Sequence, residues 1–170
     1  MNKDGSGVRQ LATLTASRPE AIWEVYVNAT DVVFGNSDAR GVFAVAKDGS
    51  SPARMLTKTT RDVFGLTGDA TAVFFREGDA SVGLLSSVTI AGVRSDLLST
   101  EPSPGSLAVD DSSVYFVAGA GGSQIRRYDR VSTQVSTIAD GRAQAYSVRV
   151  DGSAVYWTEA GTGDVLKLAK

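Results

Sequence analysis

An all-β fold of four repeated sheets is predicted by three observations. The triplets Val32-Val33-Phe34, Val73-Phe74-Phe75, Val114-Tyr115-Phe116 and Val155-Tyr156-Trp157 recur at a spacing of 41 residues. Periods in this range mark repeat architectures. Each interval holds short runs of β-branched and aromatic residues, and no segment sustains a 3.6-residue period. The 18 glycines suit a chain that turns often.

The third copy shows the elements most clearly. Residues 106–109 read as a short strand and residues 110–113 as a turn. Val114-Tyr115-Phe116-Val117 is a second strand, closed by Gly119-Ala120-Gly121-Gly122. Residues 124–128 and 135–138 supply a third and a fourth strand. Four short strands in about 40 residues describe one blade of a β-propeller. A single domain over residues 1–170 follows, with blades at 22–58, 63–99, 104–140 and 145–170.

Three columns recur through the copies. Val25, Leu66, Leu107 and Val148 are apolar on the first strand, and Phe43, Leu84, Ile125 and Leu166 on the third. Sheets sandwiched between neighbours need such positions. Asn28, Asp69, Asp110 and Asp151 end the first strand. Asn and Asp bond the backbone two residues on, so this column is expected to cap turns. It lacks the dense carboxylate alternation of a calcium loop.

The last copy stops after its third strand. The opening Lys3-Asp4-Gly5-Ser6-Gly7-Val8-Arg9-Gln10-Leu11 matches the segment from Lys47 to Leu56, which leads into a fourth strand. Residues 3–14 are therefore expected to complete the last blade, which would leave no half-finished edge. Three closures stay open. One chain closes as four blades, two chains exchange N-terminal strands into an eight-bladed ring, or the blades belong to a six-bladed or larger propeller.

Composition narrows the chemistry. A net charge of −2 and a pI near 5.1 lack the positive field of a phosphate-backbone binder, so no nucleic-acid partner is expected. There is no Cys and no His. Disulfides, Cys/His zinc sites and Ser-His-Asp catalysis are excluded. No metal and no cofactor is expected. No apolar run is long enough to span a membrane. The first residues lack a signal peptide's apolar core, leaving open a cytoplasmic chain or a region of a longer exported precursor.

Val150-Asp151-Gly152-Ser153-Ala154-Val155-Tyr156-Trp157-Thr158-Glu159, followed by Gly161-Thr162-Gly163-Asp164-Val165, resembles the repeat of YWTD-type propellers and related NHL-like bacterial repeats. The family's Asp after Trp-Thr is here Glu159, with Asn36, Glu77 and Ala118 as its equivalents. The resemblance implies a non-enzymatic recognition surface, with NHL-like relatives occasionally hydrolases or lyases.

Function on a rigid β scaffold usually sits in its loops. The segments that enter each first strand ring one mouth of the channel, and they carry Arg18, Glu20, Arg61, Glu101 and Arg142. Trp23, Phe64 and Tyr146 share a column there, for which core packing is the plainer role. Tyr26 and Arg149 are large polar residues where other copies have Thr67 and Ala108. Such departures from a repeat point to function, with burial beside a partner such as Glu24 as the equal alternative. The leading expectation is a binding scaffold for a protein, peptide or glycan, as a monomer or strand-exchanged homodimer. The alternatives are a hydrolase or lyase built on carboxylates such as Glu77, Asp79, Glu159 and Asp164, and a purely structural module.

Overall fold

The computed structural model describes residues 6–14, 22, 24–79, 82–100 and 105–170. It is all-β. Blade 1 contains β1 (Val25–Val27), β2 (Asp31–Asn36), β3 (Gly41–Ala46) and β4 (Arg54–Lys58). Blade 2 contains β5 (Asp62–Gly68), β6 (Val73–Gly78), β7 (Gly83–Val88) and β8 (Arg94–Thr100). Blade 3 contains β9 (Leu107–Val109), β10 (Ser113–Ala118), β11 (Gln124–Asp129) and β12 (Val135–Ala139). Blade 4 has β13 (Ala145–Val150), β14 (Ala154–Glu159) and β15 (Asp164–Ala169). Each sheet is an antiparallel meander in chain order. The sole helical piece among the described residues is a 3₁₀ turn at Ala120–Gly122.

The turn column behaves as its chemistry requires. Asn28 Oδ1 accepts from the amides of Thr30 and Asp31 at 2.8 and 2.7 Å. Asp69 Oδ1 takes Thr71 and Ala72, Asp110 Oδ1 takes Ser112 and Ser113, and Asp151 Oδ1 takes Ser153 and Ala154. The same side chain thus ties the same hairpin in every blade. The third-strand column does not survive as a structural column. Phe34 pairs with Phe43 and Trp157 with Leu166, but Phe75 faces Ser86 and Phe116 faces Arg126. The hairpins of blades 2 and 3 are longer by two residues and one, which slides their third strands. A one-residue slide sends side chains to the opposite face.

The aromatic triplets join the blades because alternate strand residues point to opposite faces. Phe75 packs with Val33, Val42, Leu56 and Leu66 between blades 1 and 2. Its neighbour Phe74 packs with Leu107, Phe116 and Tyr128 between blades 2 and 3. Tyr115 meets Val148, Val155 and Trp157 between blades 3 and 4. A fourth cluster, Phe34, Phe43 and Val45, lies on the outer face of blade 1, where Leu11, Ala12 and Leu14 pack against it. Among the described residues, no core cluster contains residues of both blade 1 and blade 4. The four blades form an arc joined by three interblade cores.

The fourth strand expected for the last blade is not formed by the described residues of this chain. Among the described residues, 6–14 join no sheet, and the last sheet keeps three strands with β15 at its edge. The physical reason lies in the cores. Fourth strands seat apolar residues on the next blade, and residues 11–14 take that seat on blade 1, which shares no core with blade 4.

Charged ties reinforce two of the joints. Arg130 Nη1 lies 2.7 Å from Asp69 Oδ2, and its guanidinium sits over the Phe74 ring at 4.9 Å. Lys170 Nζ lies 2.7 Å from Asp110 Oδ2, which also accepts from Tyr115 at 3.1 Å. Burial disfavours the Asp110 charge, but Lys170 and the bonds from Ser112 and Ser113 outweigh it and take its pKa from 3.8 down to about 2.

Phe116 is fully buried, so Phe116→Ala should cost about 3–5 kcal/mol in urea unfolding. Val165 is 76% exposed, and Val165→Ala should stay within about 0.5 kcal/mol. A carboxylate held low stabilises the fold above its unfolded pKa, and this stabilisation fades as pH falls through its folded value. Asp110→Asn keeps a turn-capping oxygen, as Asn28 does, and removes the charge. The variant should unfold at lower temperature at pH 7. It should also lose less stability than the parent between pH 3.8 and about 2, measured by thermal melts across pH.

Candidate binding site

The concave side of the arc is formed by the inner strands β1, β5, β9 and β13. A cavity of about 360 Å³ there is lined by residues of all four, including Glu24, Tyr26, Thr67, Ala108 and Arg149. A second of about 220 Å³ holds Glu24 and Arg149 again, with Phe64, Ser106 and Tyr146. The backbone comes unusually close here. Gly65 takes φ +61°, and a Cβ at that position would stand 2.7 Å from the Gly105 carbonyl oxygen.

Each large polar residue of these strands reaches across a joint. Glu24 Oε2 accepts from the Leu66 amide of blade 2 at 2.5 Å. The Tyr26 hydroxyl donates to the Asp69 carbonyl at 2.9 Å. Burial, then the Asp69 charge, pushes the Tyr26 phenol above its usual pKa. Arg149 Nη1 donates to Ser106 Oγ of blade 3 at 3.1 Å and to the Val148 carbonyl at 2.7 Å. Glu24 and Arg149 share both cavities but form no ion pair with each other among the described residues. Glu24 and Arg149 make separate ties, to blades 2 and 3.

Tyr146 is 75% exposed. Core packing therefore does not hold for it, and its ring lines the smaller channel cavity. Phe64 is half-buried in the same cavity. The other candidates disperse. Arg61 Nε binds Asp79 Oδ2 at 2.9 Å in a separate cleft with Arg40 and Asp62. Arg142 lies 3.5 Å from Glu159. Arg18, Glu20, Trp23 and Glu101 lie outside the described residues. Glu24, Tyr26, Tyr146 and Arg149 are thus brought together, while Arg61 and Arg142 are not.

The carboxylates considered for hydrolysis are occupied structurally or lie apart. Glu77 is buried, accepts from the Thr60 amide at 2.9 Å and binds the Arg94 guanidinium. Glu159 is buried and accepts from Trp157 Nε1 at 3.1 Å and the Ala143 amide at 3.3 Å. Both latch the segment entering their own blade, so Glu performs a backbone-fastening role at the position of the YWTD aspartate. Among the described residues, no group of three or more His, Cys, Asp or Glu side chains is placed to hold a metal ion. Sequence reading missed Ser106 and Gly65. Their signal is the column Glu24, Gly65, Ser106, Ser147, polar or glycine where the neighbouring column is apolar.

No family model matches the chain, and the search of curated proteins finds no relative. Solved structures do match. A chain of a nidogen/laminin complex superposes with a TM-score of 0.75 at 14% identity, over 87% of this chain and 59% of that one. The computationally designed Ika4 protein gives 0.69 at 19% identity, covering 95% and 98%. A catalytically inactive H270A virginiamycin B lyase from Staphylococcus aureus, solved with quinupristin, gives 0.70 at 12% identity, covering 88% and 52%. The chain thus spans little more than half the length of the nidogen/laminin chain and the lyase. Likeness at these identities carries the fold alone. In fold, this chain is a β-propeller repeat protein.

Proposed function

We propose that the chain is a non-catalytic binding scaffold that holds a protein segment, peptide or glycan at the channel mouth. The observation that carries this reading is the lining of the smaller cavity. An exposed ring, Tyr146, shares it with one cation, Arg149, and one carboxylate, Glu24. An aromatic face packs against a sugar ring or an apolar side chain while its hydroxyl stays wet. A guanidinium fork takes carboxylates or hydroxyls, and a carboxylate accepts from amides or sugar hydroxyls. Glycoside hydrolysis needs two facing carboxyl groups, and Glu24 is the only carboxylate lining either channel cavity among the described residues. The fold itself does not choose, since similar structures include a chain of a nidogen/laminin complex and a lyase.

Peptide and glycan arrays probed with the intact chain test the proposal. Tyr146→Ala and Arg149→Met should each weaken captured ligands about tenfold or more, with circular dichroism and melting temperature little changed. Equal retention by parent and variants would place binding elsewhere. Mass-shifted products from a captured ligand, abolished by Glu24→Gln, would replace the scaffold with the hydrolase or lyase reading.

A further inference from the structure

The residue that follows the third strand binds its own blade and, in two cases, the preceding one. Strand register makes Lys47, Ile90, Arg130 and Lys170 equivalent. Ala46, Asp129 and Ala169 pair with Asp31, Ser113 and Ala154, and Val88 with Val73 puts Thr89 opposite Ala72. Within their own blades, Lys47 Nζ donates to the Asn28 carbonyl at 3.2 Å, Arg130 to that of Asp110 at 2.9 Å, and Lys170 to that of Asp151 at 2.8 Å. Toward the preceding blade, Arg130 reaches Asp69 and Lys170 reaches Asp110. Blade 2 has no cation here. Its equivalent, Ile90, packs on the first interblade core, and the preceding blade carries Asn28 in place of Asp. Cation and carboxylate therefore occur together or are both replaced.

Two charges remain at the ends of the arc. Lys47 is exposed, and no carboxylate lies within ion-pair reach of it among the described residues. Asp151 is exposed, and its Oδ2 accepts from Tyr156 at 2.9 Å, with no cation within ion-pair distance of its carboxylate among the described residues. The apolar seats match as well. Leu56 of β4, Leu97 and Leu98 of β8, and Ile138 of β12 each join the core shared with the following blade. Leu11 and Leu14 occupy the corresponding seat on blade 1. They stand where the outer strand of a preceding blade belongs, while β15 is an edge strand among the described residues.

We infer that a second copy of this chain closes the ring, blade 4 of each copy docking on blade 1 of the other. Lys47 pairs with the partner's Asp151, as Arg130 pairs with Asp69, and the partner's β15 adds residues 6–14 as its fourth strand. Two identical joints related by a two-fold axis give eight blades and leave no open sheet edge. The joint also completes the channel, because Glu24 and Arg149 stand on the two end blades and so face each other across each new joint.

Sedimentation equilibrium of the full chain tests this. The expected mass is twice 17.7 kDa, about 35 kDa. Asp151→Asn retains a capping oxygen, as Asn28 does, and Lys47→Met alters an exposed residue. Each should raise the dimer dissociation constant about tenfold, and the double variant should be no weaker than either single one. Raised salt should weaken the parent dimer and affect the variants less. Asp110→Asn, which removes an internal pair, should leave the mass unchanged. A parent mass of 17.7 kDa, a mass above two copies, or additive effects of the two substitutions would each overturn the inference.

Discussion

Every blade has to bury both faces of a short sheet, and the interleaving of side chains between adjacent sheets is what the rest of the structure depends on. The strands are short, from three residues in β1 to seven in β5, and a sheet of such strands needs an apolar face packed against a neighbour to be stable. The triplets solve this by splitting their side chains, with Phe74 on one joint and Phe75 on the other. Because each core belongs to two blades, stability accumulates as a chain of nearest-neighbour terms. The inner strands are then held side by side, and this brings Glu24, Tyr26 and Arg149 to one channel.

Much of this was legible in the residues. A 41-residue period in triplets rich in β-branched and aromatic residues points to equivalent sheets, and the Asn/Asp column could be read from the local chemistry of its own turn. Both depend on contacts close in sequence. The strand match between residues 3–11 and the segment from Lys47 to Leu56 was also sound as a match. It identified apolar residues that seat on a blade as a fourth strand's do, but not which blade, because that choice depends on whether blades 1 and 4 share a core.

The unread parts depend on distances between blades. A fixed period misplaces the third strands of blades 2 and 3, because added hairpin residues change register without disturbing the period of the triplets. Tyr146 looked like its column mate Phe64, yet it is exposed where Phe64 is half-buried. Ser106 gave no individual signal, and its role follows only from Arg149 reaching back across the joint. The four gathered candidates come from two end blades and the dispersed ones from separate loops, a distinction that needs the curvature of the arc.

The pairing of Asn28 with Ile90 positions has a consequence for how the molecule responds to its medium. The joint between the first and second blades omits the cation–carboxylate tie that the next two joints carry. Electrolyte weakens exposed ionic contacts, whereas apolar contacts resist it or tighten with strongly hydrated salts. The weakest hinge of the arc is therefore not a constant of the molecule, and ionic strength selects where it flexes.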